Sequence, residues 1–308
     1  TISNNTVSNN TNSGIYLYLG SNNTIITNNI VNNNINHGIW LESSFNTTIS
    51  NNTVNNNADT GIYLDSSPYS TLTANNMTGN TYNLWAYDQY MATQNISNTN
   101  LAEGKPIYWL NGVSNAIYSD VGLFVCINCN NVTVANSSIT RAYYAVYFNN
   151  TSNSYVTNIN ISNSDTGIYL DLSSNSTITN NIVINNYDGF HLSSSSNNTI
   201  SNNIVSDNTN NGISLYADSN NNTITNNIVN NNSNDGFYLA SNSNNTISDN
   251  TVKNNTRGIF LSSSSNNAIT NNIVINNSNY GFYLEYSSDN NTISNNTINN
   301  NQYGIYFS

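Results

Sequence analysis

Two carboxylates, Glu42 and Asp65, have a spacing that could support acid–base chemistry. Each is the fourth residue after a glycine, and the same position is acidic again at Asp171 and Glu285. If Glu42 and Asp65 occupy neighbouring structural repeats, their carboxyl groups are expected about 5 Å apart, near the separation found in retaining glycosidases. Glycoside chemistry at Glu42 and Asp65 is one interpretation. Solvated acids that aid solubility are the alternative.

Aromatic residues recur two positions after the same glycines. Their rings are large, stiff and amphipathic, so a column of them could hold sugar rings or another protein. Neighbouring rings could equally serve only to stabilise a sheet. The predicted binding face consists of Tyr16, Trp40, Tyr63, Trp85, Phe124, Tyr147, Tyr169, Tyr238, Phe260, Tyr283 and Tyr306, with His191 and Ser214 interrupting it.

These residues belong to a repeat that begins Gly-[Ile/Phe]-aromatic-Leu and returns every 22 to 24 residues where it is uninterrupted. The alternation predicts a strand with one buried face, with Ile62 and Leu64 inside and Tyr63 outside. A second strand of the type Thr-Ile-Ser/Thr and a third of the type Ile-Val follow. Three short strands per repeat are typical of one coil of a three-sided parallel β-helix.

Pairs of asparagines separate the second strand from the third. Asparagine tolerates the left-handed backbone region and forms local hydrogen bonds, which suits a tight corner. Stacked at one corner, the second asparagines are expected to bond to one another along the axis. The predicted ladder comprises Asn29, Asn52, Asn76, Asn181, Asn203, Asn227, Asn250, Asn272 and Asn296.

The sequence predicts an all-β, single-stranded parallel β-helix of about 13 coils that forms one domain over residues 1–308. The regular pattern lapses between residues 83 and 122, so we expect an insertion or irregular coil at about 88–121. That segment holds Glu103, Lys105, Pro106 and Trp109, which do not fit the repeat. We expect it to project from the wall and to offer a place for specific contacts.

Composition excludes several classes of function. The net charge is −11, with only four basic residues, which disfavours nucleic acid as a partner. No apolar run approaches 18 residues, so no membrane span is expected. Cys126 and Cys129 form a lone Cys-x-x-Cys, readable as a local disulfide or two free thiols, and His37 and His191 lie many coils apart. We therefore predict no metal site and no cofactor.

The repeats resemble those of the carbohydrate-binding and sugar-hydrolase (CASH) superfamily, which are right-handed parallel β-helices. The stretches at residues 104–110, 120–123 and 129–134 are similar to the NosD-like branch, which includes a periplasmic copper-site accessory protein and archaeal surface proteins, S-layer-associated ones among them. The resemblance implies a right-handed helix. It implies little about function, because the same scaffold carries enzymes, adhesins and inert walls.

Two further patterns point to surface chemistry. The Thr-x-Ser/Thr strands resemble the hydroxyl arrays of ice-binding solenoids, with interruptions at Ile26, Ala135, Tyr155 and Ala268. There are also 21 Asn-x-Ser/Thr sequons, about the number that composition alone predicts. Possible N-glycosylation sites include Asn22, Asn51, Asn95, Asn131, Asn175, Asn221, Asn254 and Asn290.

Together these patterns predict a secreted or cell-surface structural protein, by resemblance archaeal, that forms a filament, sheath or S-layer. The chain starts within a second strand and stops after a first strand, so copies are expected to polymerise head to tail; a fragment of a longer chain is the rival explanation. Cell-surface glycans are the other expected partners. The alternative function is a polysaccharide-binding or polysaccharide-cleaving β-helix that uses the aromatic residues with Glu42 and Asp65.

Overall fold

The structure is a computed structural model that covers residues 1–308, and it describes every residue except the side chain of Asp88. The chain divides into two compact units. Unit 1 contains residues 1–111, 120–125 and 138–145, and unit 2 contains residues 112–119, 126–137 and 146–308. That the whole chain forms one domain stays a prediction.

Unit 1 is built from coils of three short parallel strands, one strand on each of three faces. We name the faces by their residues. The aromatic face consists of Ile15–Tyr18, Ile39–Glu42, Thr60–Asp65 and Tyr82–Ala86. The threonine face consists of Ile2–Ser3, Ile25–Thr27, Thr48–Ser50, Thr71–Thr73 and Asn95–Ile96. The valine face consists of Thr6–Ser8, Ile30–Asn32, Thr53–Asn55, Asn76–Thr78 and Leu101–Ala102.

Unit 2 repeats this architecture, and the predicted all-β parallel β-helix is thereby confirmed. Its aromatic face consists of Thr166–Asp171, Asp188–Ser193, Ile213–Tyr216, Asp235–Ala240, Arg257–Ser262, Tyr280–Glu285 and Tyr303–Phe307. Its threonine face consists of Thr177–Thr179, Thr199–Ser201, Thr223–Thr225, Thr246–Ser248, Ala268–Thr270 and Thr292–Ser294. Its valine face consists of Ile182–Ile184, Ile204–Ser206, Ile228–Asn230, Thr251–Lys253, Ile273–Ile275 and Thr297–Asn299.

The remaining strands lie around the irregular segment. Ser114–Ser119 pairs in parallel with Asn130–Thr140, and Tyr155–Ser162 pairs with the first strands of both the threonine and valine faces of unit 2. Three strands contain residues of both units: Leu123–Ile127, Asn130–Thr140 and Tyr144–Asn149. The eleven aromatic-face strands, together with Leu123–Ile127 and Tyr144–Asn149, correspond to about 13 coils, as predicted.

The first part of the expected irregular segment at 88–121 still contributes strands to the β-helix. After a 3-10 helix at Asp88–Thr93, Asn95–Ile96 continues the threonine face and Leu101–Ala102 continues the valine face of unit 1. The chain then turns back, and Lys105–Asn111 pairs antiparallel with Leu101–Ala102. The expectation that this segment projects throughout is therefore wrong for residues 95–102, because their alternating residues still fit the coil.

Most strands bury the residues that the alternation predicts, whereas Tyr303–Phe307 is exposed along its whole length. In Thr60–Asp65, Ile62 and Leu64 are fully buried, whereas Tyr63 and Asp65 are partly exposed. One coil is shifted from its expected register: in Ile25–Thr27 the buried residue is Ile26, and Ile25 faces outward. Ile25, and not Ile26, therefore interrupts the hydroxyl column.

Glycine begins the aromatic strands because the coils approach too closely there for a side chain. A Cβ atom on Gly212 would lie 2.4 Å from Val229 Cγ1 and 2.7 Å from the carbonyl oxygen of Gly236. Both distances are far below van der Waals contact, so a larger residue would push the stacked coils apart.

Asparagine side chains form a buried hydrogen-bonded ladder at the corner between the threonine and valine faces. In unit 2 the ladder runs through Asn181, Asn203, Asn227, Asn250, Asn272 and Asn296, each donating its side-chain amide to the Oδ1 atom of the next at 2.9 to 3.0 Å. The backbone N–H of each donor bonds to the same oxygen. The preceding asparagine, such as Asn226 with φ 57°, supplies the left-handed corner.

In unit 1 the corresponding ladder runs through Asn5, Asn29, Asn52, Asn75 and Asn100. The prediction that Asn76 belongs to the ladder is wrong by one residue. Asn75 is fully buried in the ladder, and Asn76 is exposed on the valine face. The cause is local, because Ala74, with φ 53°, takes the left-handed position that an asparagine holds in the other coils. The first asparagine of the visible pair therefore becomes the ladder residue.

A second ladder, absent from the sequence-based prediction, follows the valine face. It runs through Asn10, Asn34, Asn57 and Asn80 in unit 1, and through Asn186, Asn208, Asn232, Asn255, Asn277 and Asn301 in unit 2. Its signal was present in the sequence as a second asparagine pair per repeat, such as Asn231 and Asn232.

Substitution Asn227→Ala is expected to destabilise unit 2 strongly. It removes the acceptor of the Asn203 N–H and the donor to the Ile200 and Thr225 carbonyl oxygens. Each buried group left without a partner costs about 1–3 kcal/mol, so the loss should be about 3 kcal/mol or more in urea denaturation. The matched control is Asn226→Gly at the exposed corner, where glycine adopts positive φ freely and the change should stay below about 1 kcal/mol. Equal effects of the two substitutions would show that the ladder does not stabilise the fold.

Candidate functional surfaces

The aromatic residues of unit 1 form a column of stacked rings. Ring centroids are separated by 4.3 Å between Tyr16 and Trp40, 6.2 Å between Trp40 and Tyr63, and 4.5 Å between Tyr63 and Trp85. Tyr143, which precedes its strand, lies 3.9 Å beyond Trp85. The interplanar angles are 2° to 21°, so the ring faces pack on one another. Within the column, therefore, only the ring edges and the hydroxyl groups are available to contact a ligand.

The column of unit 2 continues across the interruption that the sequence shows at Ser214. Tyr216, two residues further along the strand, places its ring 4.7 Å from His191 and 5.2 Å from Tyr238. Ser214 is fully buried, and its hydroxyl group has no hydrogen-bond partner that satisfies normal geometry. Tyr216 thus replaces the missing ring, and His191 takes part in the stack as an aromatic ring, 4.7 Å from Tyr169.

Three residues of the predicted binding face are buried. Phe124 is fully buried, Tyr147 is 1% exposed and Phe260 is 5% exposed. Phe124 does not belong to the outward set, because its neighbours Leu123 and Val125 line the cavity beside Trp85. Over Phe260 lies the guanidinium group of Arg257, 4.0 Å from the ring centroid. These three residues cannot contact a ligand directly, which corrects the predicted face.

The acids beside the column accept hydrogen bonds from its tyrosines. Glu42 accepts from the Tyr16 hydroxyl group, and Glu285 Oε2 accepts from Tyr283 at 2.5 Å. Glu42 and Asp65 are direct partners on adjacent parallel strands, and both are partly exposed. The structure therefore brings this carboxylate pair together on one surface, as the repeat predicts, while giving Glu42 a structural partner as well.

An ion pair in unit 2 was not anticipated from the sequence. Arg257 donates from Nε to Asp235 Oδ1 at 2.5 Å and from Nη2 to Oδ2 at 2.8 Å, a bidentate arrangement. Asp235 is 1% exposed, and this burial raises its pKa to about 6 despite the opposing effect of Arg257. Both residues stand directly before a repeat glycine, and the Arg257 guanidinium group lies beside the Phe260 ring of the aromatic column. An acid and a base at the same repeat position in adjacent coils could have indicated this ion pair in the sequence.

The two histidines lie in different units, and burial lowers the pKa of each. For His191 the pKa falls to about 4, and for His37 the carboxylate of Asp59, 3.7 Å from Nδ1, opposes the decrease. No group of three or more His, Cys, Asp or Glu that could hold a metal ion occurs among the described side chains. Cys126 and Cys129 form a buried disulfide with their Cα atoms 5.9 Å apart, which resolves the two interpretations of this motif.

The irregular segment covers one end of the unit 1 column. Met91 from the 3-10 helix and Trp109 from the antiparallel strand line a small cavity of about 10 Å³ together with Trp85 and Tyr143. Trp109 donates its indole N–H to the Met91 carbonyl oxygen at 2.9 Å. A role of this segment in specific contacts stays a prediction.

The eight possible glycosylation sites, Asn22, Asn51, Asn95, Asn131, Asn175, Asn221, Asn254 and Asn290, are all exposed. Six of them lie at corners or in turns, outside the regular strands, whereas Asn95 opens a strand and Asn131 is the second residue of Asn130–Thr140. Their modification stays a prediction.

Substitution His191→Phe is expected to make unit 2 less sensitive to acid. The folded-state pKa of His191, about 4, lies below the ordinary value near 6.5, so the unfolded chain binds the proton first. The stability that the neutral ring contributes is therefore complete above pH 6.5 and is lost as the pH falls toward 4. Phenylalanine keeps the stacking without titrating. The difference in Tm between pH 7 and pH 4.5 should be smaller in His191→Phe than in the wild type or in Tyr169→Phe, and equal differences would contradict the assignment.

Several solved structures share this fold. The A-module of the Azotobacter vinelandii mannuronan C-5 epimerase AlgE6 aligns with a TM-score of 0.58 and 14% identity, covering 99% of this chain and 85% of that one. The periplasmic alginate epimerase AlgG aligns with a TM-score of 0.54 and 14% identity, covering 92% and 78%. The Dettilon tailspike protein aligns with a TM-score of 0.50 and 14% identity, covering 90% and 62%. At such identities the likeness concerns the fold alone. No curated protein matched the chain in a sequence comparison.

Two protein families match the sequence. The family described as "Right handed beta helix region" matches residues 96–252, just over half of the chain. The family described as "Periplasmic copper-binding protein (NosD)" matches residues 1–118 and 218–308. The donors present do not fit a resident copper site, because both cysteines are consumed by the disulfide and the histidines are built singly into aromatic columns. The chain belongs to the right-handed parallel β-helix repeat proteins of the NosD-like type.

Proposed function

We propose that this chain is a structural protein of the cell surface or another extracytoplasmic compartment, and that copies of it build a filament, sheath or S-layer. The observation that supports this most is the buried amide ladder. In the regular coils of each unit, asparagine side chains donate hydrogen bonds to the next coil along the axis. A scaffold organised in this way is stiff along one direction and repeats without limit.

Assembly along the axis follows from what each coil offers its neighbour. Within a unit, a coil presents strand N–H and C=O groups together with ladder amides, and the adjacent coil accepts them in the same register. A second copy would carry the same set of groups. Head-to-tail addition therefore needs no new type of contact, and a heterologous contact of this kind extends instead of closing.

Three observations support an extracytoplasmic location. The disulfide between Cys126 and Cys129 fits an oxidising compartment. The NosD family is named for periplasmic proteins, and all eight selected sequons are exposed for glycosylation. Among the described residues, no helix has the length and apolar character needed to cross a membrane. More specifically, we propose that the chain is an archaeal surface glycoprotein.

Electron microscopy of native material, combined with labelling by an antibody against the chain, tests the structural role. We expect ordered filaments or a surface lattice that carry the label, and sedimentation of the purified full chain that grows with concentration. A chain that stays monomeric at every concentration, with label spread through the cell interior, would refute the proposal.

Recognition or cleavage of a polysaccharide is the second candidate. Glu42 and Asp65 in direct register on a partly exposed surface favour it, and two proteins that share the fold are named a mannuronan C-5 epimerase and an alginate epimerase. The column offers its ring edges and these acids for sugar contacts, while its ring faces pack on one another, which makes the site shallow. A structural role remains the main proposal for this reason.

A glycan array and a reducing-end release assay, extended to alginate, separate these candidates. If the pair is catalytic, Glu42→Gln and Asp65→Asn should each abolish product formation. Asp171→Asn should leave it unchanged, because Asp171 has the same repeat position but faces Ser193 in the next coil. Binding without turnover would leave a lectin-like role, and neither binding nor turnover would exclude the second candidate.

A further inference from the structure

The threonine face of unit 2 presents two parallel columns of hydroxyl groups. Each of its six strands buries one central aliphatic residue and turns the residues on either side outward. The first column contains Thr177, Thr199, Thr223, Thr246, Ala268 and Thr292, and the second contains Thr179, Ser201, Thr225, Ser248, Thr270 and Ser294. Ala268 is the only member of the twelve without a hydroxyl group.

These hydroxyl groups are held in fixed positions. The Ser201 hydroxyl group donates to Thr179 Oγ1 at 3.1 Å, and Ser248 donates to Thr225 Oγ1 at 3.4 Å. Threonine is restricted at χ1, so its methyl and hydroxyl groups have few orientations available on the strand. The buried ladder at the adjoining corner fixes the backbone beneath them. The face is therefore ordered before any partner arrives.

The outward positions of this face carry neither an acid nor a base, although the chain has a net charge of −11. Neighbouring strands lie about 4.8 Å apart, and the two columns are about 6.7 Å apart along each strand. Together these features make a two-dimensional lattice of small, neutral side chains, in which the eight threonines carry both a methyl and a hydroxyl group. Such a lattice is complementary to a partner that is itself periodic and uncharged, and both spacings are close to repeat distances between water molecules in ice.

We infer that the threonine face of unit 2 binds ice. The hydroxyl groups would replace water molecules at the crystal surface, and the methyl groups would exclude liquid water from the spaces between them. Unit 1 is poorer for this purpose, since Ile25 and Asn95 interrupt the first column in two of its coils. The inference is independent of the assembly proposed above.

Inhibition of ice recrystallisation by the purified full chain tests the inference, together with incorporation of the fluorescently labelled chain into a growing ice crystal. The wild type should inhibit recrystallisation and enter the ice. Thr223→Lys, in the middle of the array, should require a several-fold higher concentration for the same inhibition, and Thr246→Lys on the next coil should behave alike. The matched control is Thr251→Lys, an outward threonine of the valine face, which should act as the wild type does.

A wild-type chain that is no better than an inert protein of equal size would overturn the inference, as would equal losses in Thr223→Lys and Thr251→Lys. If sedimentation showed that Thr223→Lys removes self-association while the wild type leaves ice unaffected, the face would be an interface between copies, and the inference would fail. Circular dichroism of each variant confirms that the coils remain folded, so that a loss of inhibition reflects the surface.

Discussion

The hydrogen bond from one asparagine amide to the asparagine of the next coil is the interaction on which the other features depend. A narrow solenoid must turn its chain three times in every repeat, and each corner buries backbone groups that the strands cannot satisfy. A buried side chain such as Asn203 resolves this, because its Oδ1 atom accepts two donors of the preceding coil while its Nδ2 atom reaches carbonyl oxygens. With the corners satisfied, the three short strands need only bury one or two aliphatic residues each. The high asparagine content is thus a requirement of the fold.

Much of this architecture could be predicted from the sequence because residues at the same position of each repeat occupy the same place in each coil. The glycine and the alternation after it predict the buried and exposed residues of Thr60–Asp65, and the asparagine pairs predict one ladder. The prediction misplaced Ile26 and Asn76 because a single coil offers two readings of the register. Tertiary contacts choose between those readings, so they were beyond a sequence pattern.

The candidate surfaces were less predictable, because side chains outside the wall settle among neighbours that the repeat does not specify. The Tyr216 ring stacks on His191 in the place of the ring that Ser214 lacks. The Arg257 guanidinium group lies over Phe260 and forms an ion pair with Asp235. A column of outward aromatics was foreseeable, and so was the possibility that its rings only stabilise the sheet, but the sequence did not decide between that role and a binding face. Because the ring faces are covered by neighbouring rings, the packing favours a structural role for the column over sugar recognition.

The confinement of almost every interaction to adjacent coils has a consequence for how such chains change over time. In unit 2, Asn227 bonds only to residues of its own coil and of the coils on either side. A duplication of one complete repeat within the gene would therefore insert a coil whose contacts are already specified, and a deletion of one repeat would rejoin surfaces that match. Chain length can thus vary in steps of one repeat while the fold stays intact, so the reach of the protein is open to selection separately from its stability.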